Sequence, residues 1–162
     1  MSDGDKALLT REICRLLPYS TYLDWGGNPV LLCGYGHGRA EVLSSPVSSI
    51  SHAPLITELR LALYPLNKMS GKKKEELWDY LGWARKIVVP PGFKETFQGH
   101  YDLEKFTPQF LVDDKICTWL DYNHYDRYDL IGKGIAVDAS VAFDKDPYEN
   151  GWYYHDLRDF EL

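Results

Sequence analysis

Paired cysteines are missing from this sequence. Its three, Cys14, Cys33 and Cys117, are odd in number, far apart and without a CxxC pair, which excludes both a disulfide framework and a zinc knuckle. Each is expected to be a buried thiol, since free cysteine behaves as a small hydrophobe. Also missing is any apolar run near the roughly 18–20 residues that a membrane span requires. The opening MSDGDKALL has neither the basic start nor the apolar stretch of a secretion signal. The expectation is therefore a cytoplasmic protein without direct membrane binding. The metal-binding spacings HxH, HxxxH and HExxH do not occur, nor does the phosphate-loop pattern GxxxxGK[ST]. There is no internal repeat.

What is present suits a globular chain. At 162 residues, 44% of them hydrophobic and 14% aromatic, the chain can bury a core and fits one domain, residues 1–162. Its net charge of −6 is unevenly spread. Residues 1–100 carry 12 basic and 10 acidic side chains, whereas residues 101–162 carry 6 and 14, along with 13 of the 23 aromatic residues. An acidic, aromatic-rich surface of this kind repels a nucleic-acid backbone and can attract a basic protein groove.

Helical spacing of Leu8, Leu9, Ile13, Leu16 and Leu17 predicts an opening amphipathic helix, capped by Asp5 and stopped by Pro18. From Ser20 to Ser45, short apolar runs broken by glycines predict two or three antiparallel strands. The stretch LITELRLALYPL fits a short helix through Leu55, Leu59 and Leu63, with a strand as the alternative. Ser70 should cap a second helix, with Leu77, Tyr80, Leu81 and Ala84 as its apolar stripe. Three lysines, Lys72 to Lys74, oppose its dipole, and Lys72 can pair with Glu76. A strand and a long irregular connection should occupy 87–112. Asp113 or Asp114 should cap a third helix that buries Ile116, Trp119 and Leu120 and closes at Asn123. A turn capped by Asp126 and ended by Gly132 or Gly134 comes next, then strands in IAVDASVAF and GWYYHDLRDF joined by the turn DKDPYENG. The fold expected is α+β: helices packed on a small, bent antiparallel sheet, whose early strands would suit an open or closed barrel-like meander.

Three His-Tyr-Asp groups raise the question of a metal centre: His100 with Asp102, His124 with Asp126, and His155 beside Asp156. In an extended segment HxD puts both side chains on one face. After a helix, however, His124 more naturally meets the last carbonyls and Asp126 caps the next turn. Capping therefore outranks ligation, and no cofactor is called for. Cys33 with His37 suggests a nucleophile pair, but Cys33 closes the apolar run VLLC and burial is the stronger expectation. Arg39, in the same glycine-rich loop, could hold an anion. Asp144, Asp146 and Glu149 are too few and too closely spaced for an EF-hand.

Two stretches, LRLALYPLNKMSGKKKEEL and WLDYNHYDRYDLIGKGIAVDA, together with the early LLPYSTYL, carry a likeness. Through Leu66, Met69, Ser70, Trp119, Leu120, His124, Tyr125, Asp126, Leu130, Ile131, Gly134, Ile135 and Ala136, the chain resembles a family of small accessory proteins encoded by phages and prophages of gut anaerobes. It departs from that pattern at Arg127-Tyr128-Asp129, where the family tends to have Tyr-Arg-Gly, and in the tail from about Phe143. The family brings no known reaction; the resemblance implies an accessory phage gene, and such genes often inhibit host defence. The function expected is a non-enzymatic protein that binds a host protein or nucleoprotein and antagonises a defence system, as anti-CRISPR proteins do, in the cytoplasm of an infected or lysogenic cell. Direct nucleic-acid binding is not expected. The residues proposed for the partner surface are Tyr125, Arg127, Tyr128, Asp129, Tyr148, Trp152, Tyr153, Asp156 and Asp159. The alternative is a metal-dependent phosphodiesterase or nucleotide hydrolase with ligands drawn from His100, Asp102, His124, Asp126 and His155. A third reading is a minor structural or assembly protein of the virion.

Overall fold

A computed structural model describes residues 1–44, 48–81 and 114–150. Asp102, His100 and the segments 87–112 and 151–162, with the strand and connection expected there, lie outside the described residues, as does Ala84. The fold is α+β. The described chain divides into two compact units, Met1–Leu63 with the residues from Asp129 onward, and Tyr64–Tyr128.

The first unit opens with helix α1, Asp3–Leu16. Its cap is Ser2 rather than Asp5: the Ser2 hydroxyl accepts from the Asp5 amide at 3.1 Å, which places Asp5 in the first turn, where its charge favours the dipole. The buried face is Leu9, Glu12, Ile13 and Leu16. Glu12 is admitted to this face because Arg11 and Arg15 both reach its carboxylate. Pro18 sits in a 3-10 turn, Leu17–Tyr19, after which Thr21 donates to the Leu16 carbonyl at 3.0 Å.

The meander has three strands, β1 Tyr22–Trp25, β2 Asn28–Gly36 and β3 Arg39–Leu43, joined by two-residue turns. Gly26 and Gly27 both have positive φ, 61° and 89°, which suits the twist-matched hairpin turn, and Asp24 Oδ1 accepts from the Gly27 amide at 2.9 Å. Between Leu32 and Gly34 the register against β3 shifts by one residue, and Cys33 is the extra residue. This bulge explains why the expectation of buried cysteines fails: Val30, Leu31 and Leu32 are buried in succession, while Cys33 is exposed, as is Cys14, and Cys117 is only half-buried.

The stretch 55–66 is a strand and not the helix favoured by its spacing. After a 3-10 turn at Ile56–Glu58, β5 runs Leu59–Pro65. Leu59, Leu61, Ala62 and Leu63 are all buried, because β5 is paired on both edges, antiparallel with β1 and parallel with β7, Ala136–Asp138. The leucines of this stretch alternate about the exposed Arg60 but also recur four apart at Leu55, Leu59 and Leu63, so the sequence fits both periods and the pairing decides between them. Strand β4, Ser51–His52, covers the outer edge of β3. The order in this unit is β4-β3-β2-β1-β5, with β7 on the far side of β5. Among the described residues β4 and β7 pair with nothing else, so the sheet is open. It is nevertheless strongly curled, since Trp25 of β1 and His52 of β4 bring their rings within 5.9 Å. α1 closes the concave core over Leu23, Val30, Leu32, Ala40 and Val42.

Leu130 to Gly134 form a helical turn that ends at Gly134, not Gly132. The Gly134 amide donates to Ile131 O at 3.1 Å and the Ile135 amide to Leu130 O at 3.0 Å, with Gly134 at φ 75° and Leu130 and Ile135 both in the core. These are the paired bonds and apolar contact of a Schellman closure. Gly134→Ala should therefore cost about 1 kcal/mol, read as a lower urea midpoint at constant m-value. IAVDASVAF yields only the three residues of β7, and within DKDPYENG a short helix, α4 Pro147–Asn150, replaces the expected turn.

In the second unit, α2 spans Gly71–Leu81 and α3 spans Asp114–Tyr122. Ser70 caps α2, accepting from the Lys73 amide at 3.1 Å. Leu77 is buried but Tyr80 is exposed, and the ion pair on this helix is Lys73 with Glu76 at 3.0 Å, not Lys72 with Glu76. Ile116, Trp119 and Leu120 are buried as expected. The left-handed closing residue of α3 is His124, φ 66°, one later than Asn123. Asn123 stays on the helix end, its side chain donating to Trp119 O at 2.9 Å. Strand β6, Tyr125–Asp126, then pairs parallel with Tyr64 and Pro65.

Candidate partner-binding site

Reversal of the chain at His124 sets the geometry of the second unit. It carries residues 125–128 back past the end of α3, so that Arg127 meets Asp121. The contact is bidentate, Nε to Oδ1 at 2.9 Å and Nη2 to Oδ2 at 3.2 Å, and the two side chains are only 10% and 6% exposed. A carboxylate at a helix C-terminus is disfavoured by the dipole and gains most from a cation placed there. The Arg127 guanidinium also lies over the ring of Tyr128, 4.7 Å from its centroid. Tyr128 remains 41% exposed, and Tyr122, at the end of α3, 45%. An exposed aromatic ring is thus held against a guanidinium that is itself fixed by a carboxylate. Such a ring loses little freedom on binding a partner.

The other residues of the 124–126 group are interior. Tyr125 is buried, stacked on Trp119 at 5.9 Å with 9° between planes and tilted against Tyr64 at 5.8 Å. Burial, and then the negative charge of Glu76, push its phenol up to about 12, so it stays neutral across physiological pH. His124 is buried and its carbonyl accepts from the Tyr64 amide at 2.8 Å. Asp126, read from the sequence as the cap of the following turn, is buried within β6. Lys73 bridges Glu76 and Asn123, at 3.0 and 3.3 Å.

Of the residues read as a partner surface, Arg127 and Tyr128 are therefore brought together, whereas Tyr125 is buried against Trp119 and Tyr64 and is not part of the surface. Asp129 is exposed with φ 54°; its carboxylate overhangs Gly132, where an added Cβ would lie 2.6 Å from both oxygens. Tyr148 belongs to the frame of the first unit, its hydroxyl bonded to two strands. Trp152, Tyr153, Asp156 and Asp159 lie outside the described residues. Two members of the site went unread in the sequence, Asp121 and Tyr122. The available signal was an aspartate in the last turn of a helix, which calls for a nearby cation.

For the metal reading, His100, Asp102 and His155 lie outside the described residues. Among the described residues no three of His, Cys, Asp or Glu are grouped to hold an ion. Although Cys33 is exposed, partial desolvation by its neighbours, and then Glu41, raise its thiol above the ordinary range, which disfavours the thiolate that a Cys-His pair requires. Arg39 is engaged by a backbone carbonyl, Ala53 O at 2.9 Å. A cleft of about 420 Å3 in the first unit is lined by Gly27, Asn28, Pro29, Ala142, Phe143, Asp144 and Lys145, a set without imidazole, thiol or hydroxyl. Among the described residues no helix is long and apolar enough to cross a membrane. Compared with protein families, characterised proteins and solved structures, the chain matches none.

Proposed function

We propose that the chain is a non-enzymatic accessory protein of a phage or prophage that binds a host protein or nucleoprotein in the bacterial cytoplasm and inhibits a defence system. The observation that carries the binding part is the Asp121–Arg127–Tyr128 arrangement, an exposed tyrosine ordered in advance by a cation and a buried carboxylate. Tyr and Arg are the residues that most often anchor protein interfaces. The phage setting rests on the sequence resemblance, and the choice of a basic partner groove rests on the excess of acid in residues 101–162.

Capture from a bacterial host, with mass spectrometry of what co-purifies, tests the reading. A stoichiometric host protein is expected, with affinity reduced at least tenfold by Tyr128→Ala, about 1.4 kcal/mol. Tyr128→Phe keeps the ring over Arg127 and should bind nearly as well. Full binding by a Tyr122→Ala/Tyr128→Ala variant would sink this site. A stoichiometric metal in untagged protein, lost on mutation of His124, would instead favour the hydrolase.

A further inference from the structure

The ladder between β1 and β5 stops one pair short of where its register would carry it. Trp25 faces Leu59, Asp24 faces Arg60 and Leu23 faces Leu61, so the next pair is Tyr22 with Ala62. In an antiparallel pair the residues that exchange bonds alternate. The Leu61 amide points the other way, donating to Ile135 O at 3.1 Å, which leaves the Ala62 carbonyl directed at β1. Between the Tyr22 amide and that carbonyl stands the hydroxyl of Tyr148. It accepts from Tyr22 N at 3.0 Å and donates to Ala62 O at 2.6 Å. One phenol thus relays the bond that the two backbones would otherwise make directly.

The phenol is held there by local means. Its ring packs edge-on against Tyr22, with centroids 5.3 Å apart. Asp146 Oδ1 accepts from the Tyr148 amide at 2.9 Å, starting the single turn of α4. Desolvation raises the phenol far above the tyrosine range, so it remains a donor at any working pH. All of these groups lie in the first unit.

We infer that this fork is a two-state device: Tyr148 plugs it in the state described here, and on withdrawal of Tyr148 the strands close by a direct bond from the Tyr22 amide to Ala62 O. The exchange is favoured by the match of donor and acceptor in the two states, because neither backbone group is left unpaired in either one. Opening the plug removes the Tyr148 link between α4 and the sheet, while the ladder gains a pair. Four of the residues proposed for partner binding, Trp152, Tyr153, Asp156 and Asp159, follow α4 in the sequence. The device itself does not depend on that proposal and can be tested in the free protein.

The experiment is relaxation dispersion on the amides of the wild-type chain, together with hydrogen exchange on a Tyr148→Ala variant. In the wild type, Tyr22 and Leu23 should show millisecond exchange, with minor-state shifts equal to the ground-state shifts of the variant. In Tyr148→Ala the Tyr22 amide should stay protected within about threefold of wild type, because Ala62 O takes over as its acceptor. Flat dispersion at Tyr22 and Leu23 would overturn the inference, and this arm decides alone if the variant does not fold. A folded variant whose Tyr22 amide exchanges like a free one would overturn it too, leaving Tyr148 as a passive anchor.

Discussion

Leu61→Ala is expected to cost about 3–5 kcal/mol of folding stability, the largest effect of any single truncation in the first unit. Leu61 is fully buried in a strand that is paired on both edges, and its neighbour Leu23 is held in a second ladder, with β2. The site therefore cannot collapse to fill the void. A Leu to Ala change at such a place loses the transfer term and keeps most of the cavity term. Against a total stability of about 5–15 kcal/mol, the loss moves the urea midpoint by a large fraction while leaving the m-value unchanged. Leu55→Ala is the control: Leu55 is 49% exposed, and its truncation should change stability by no more than about 0.5 kcal/mol. Equal effects at the two positions would mean that β5 is not the centre of the core.

Asp121→Ala should come next, at about 3 kcal/mol, through a different mechanism. It leaves the Arg127 guanidinium, 10% exposed, without its bidentate carboxylate, and an uncompensated charge in that position costs far more than the intact pair contributes. The double variant Asp121→Leu/Arg127→Leu should recover most of the loss, because replacing both partners by apolar groups removes the stranded charge along with the bond. A double-mutant cycle by chemical denaturation measures this directly. Strict additivity of the two single changes would show that the pair is not coupled. The same double variant takes away the support under Tyr128, so it should bind partner poorly although it is well folded. That separation distinguishes a binding role for the pair from a purely structural one.

Most of what periodicity could carry was readable. The apolar positions of α1 and α3 repeat at helical spacing on one buried face, and Gly26-Gly27 and His37-Gly38 mark the hairpin turns of the meander. Misreadings arose where two physical signals coincided or where the cause lay far away in the chain. The run around Leu59 to Leu63 fits both periods, with Leu55, Leu59 and Leu63 four apart and Leu59, Leu61 and Leu63 two apart, and its strand state depends on β1 and β7. Cys33 alternates correctly as a buried residue until a bulge turns it outward. His124, which tolerates positive φ less readily than Asn123, takes the closing position because Asn123 is held back by its bond to Trp119 O. That one-residue difference brings Arg127 to Asp121, and so the site could not be assembled from spacing alone. Tyr148 sits in a stretch of turn residues with no periodicity at all, and only the three-dimensional register of β1 and β5 reveals what it does.

The parallel pairing of β5 with β7 also has a consequence for synthesis. Leu61 is matched to Ala136, a residue made 75 positions later. At elongation rates of about 5–20 residues per second, the edge of β5 waits roughly 4–15 s for its partner while β1, β2 and β3 are already available to pair. During that interval a largely apolar strand presents unpaired backbone to the crowded cell. The chain thus emerges with its most aggregation-prone element early and its cover late, so chaperone capacity, and not final stability, is what should limit its yield when it is made in quantity.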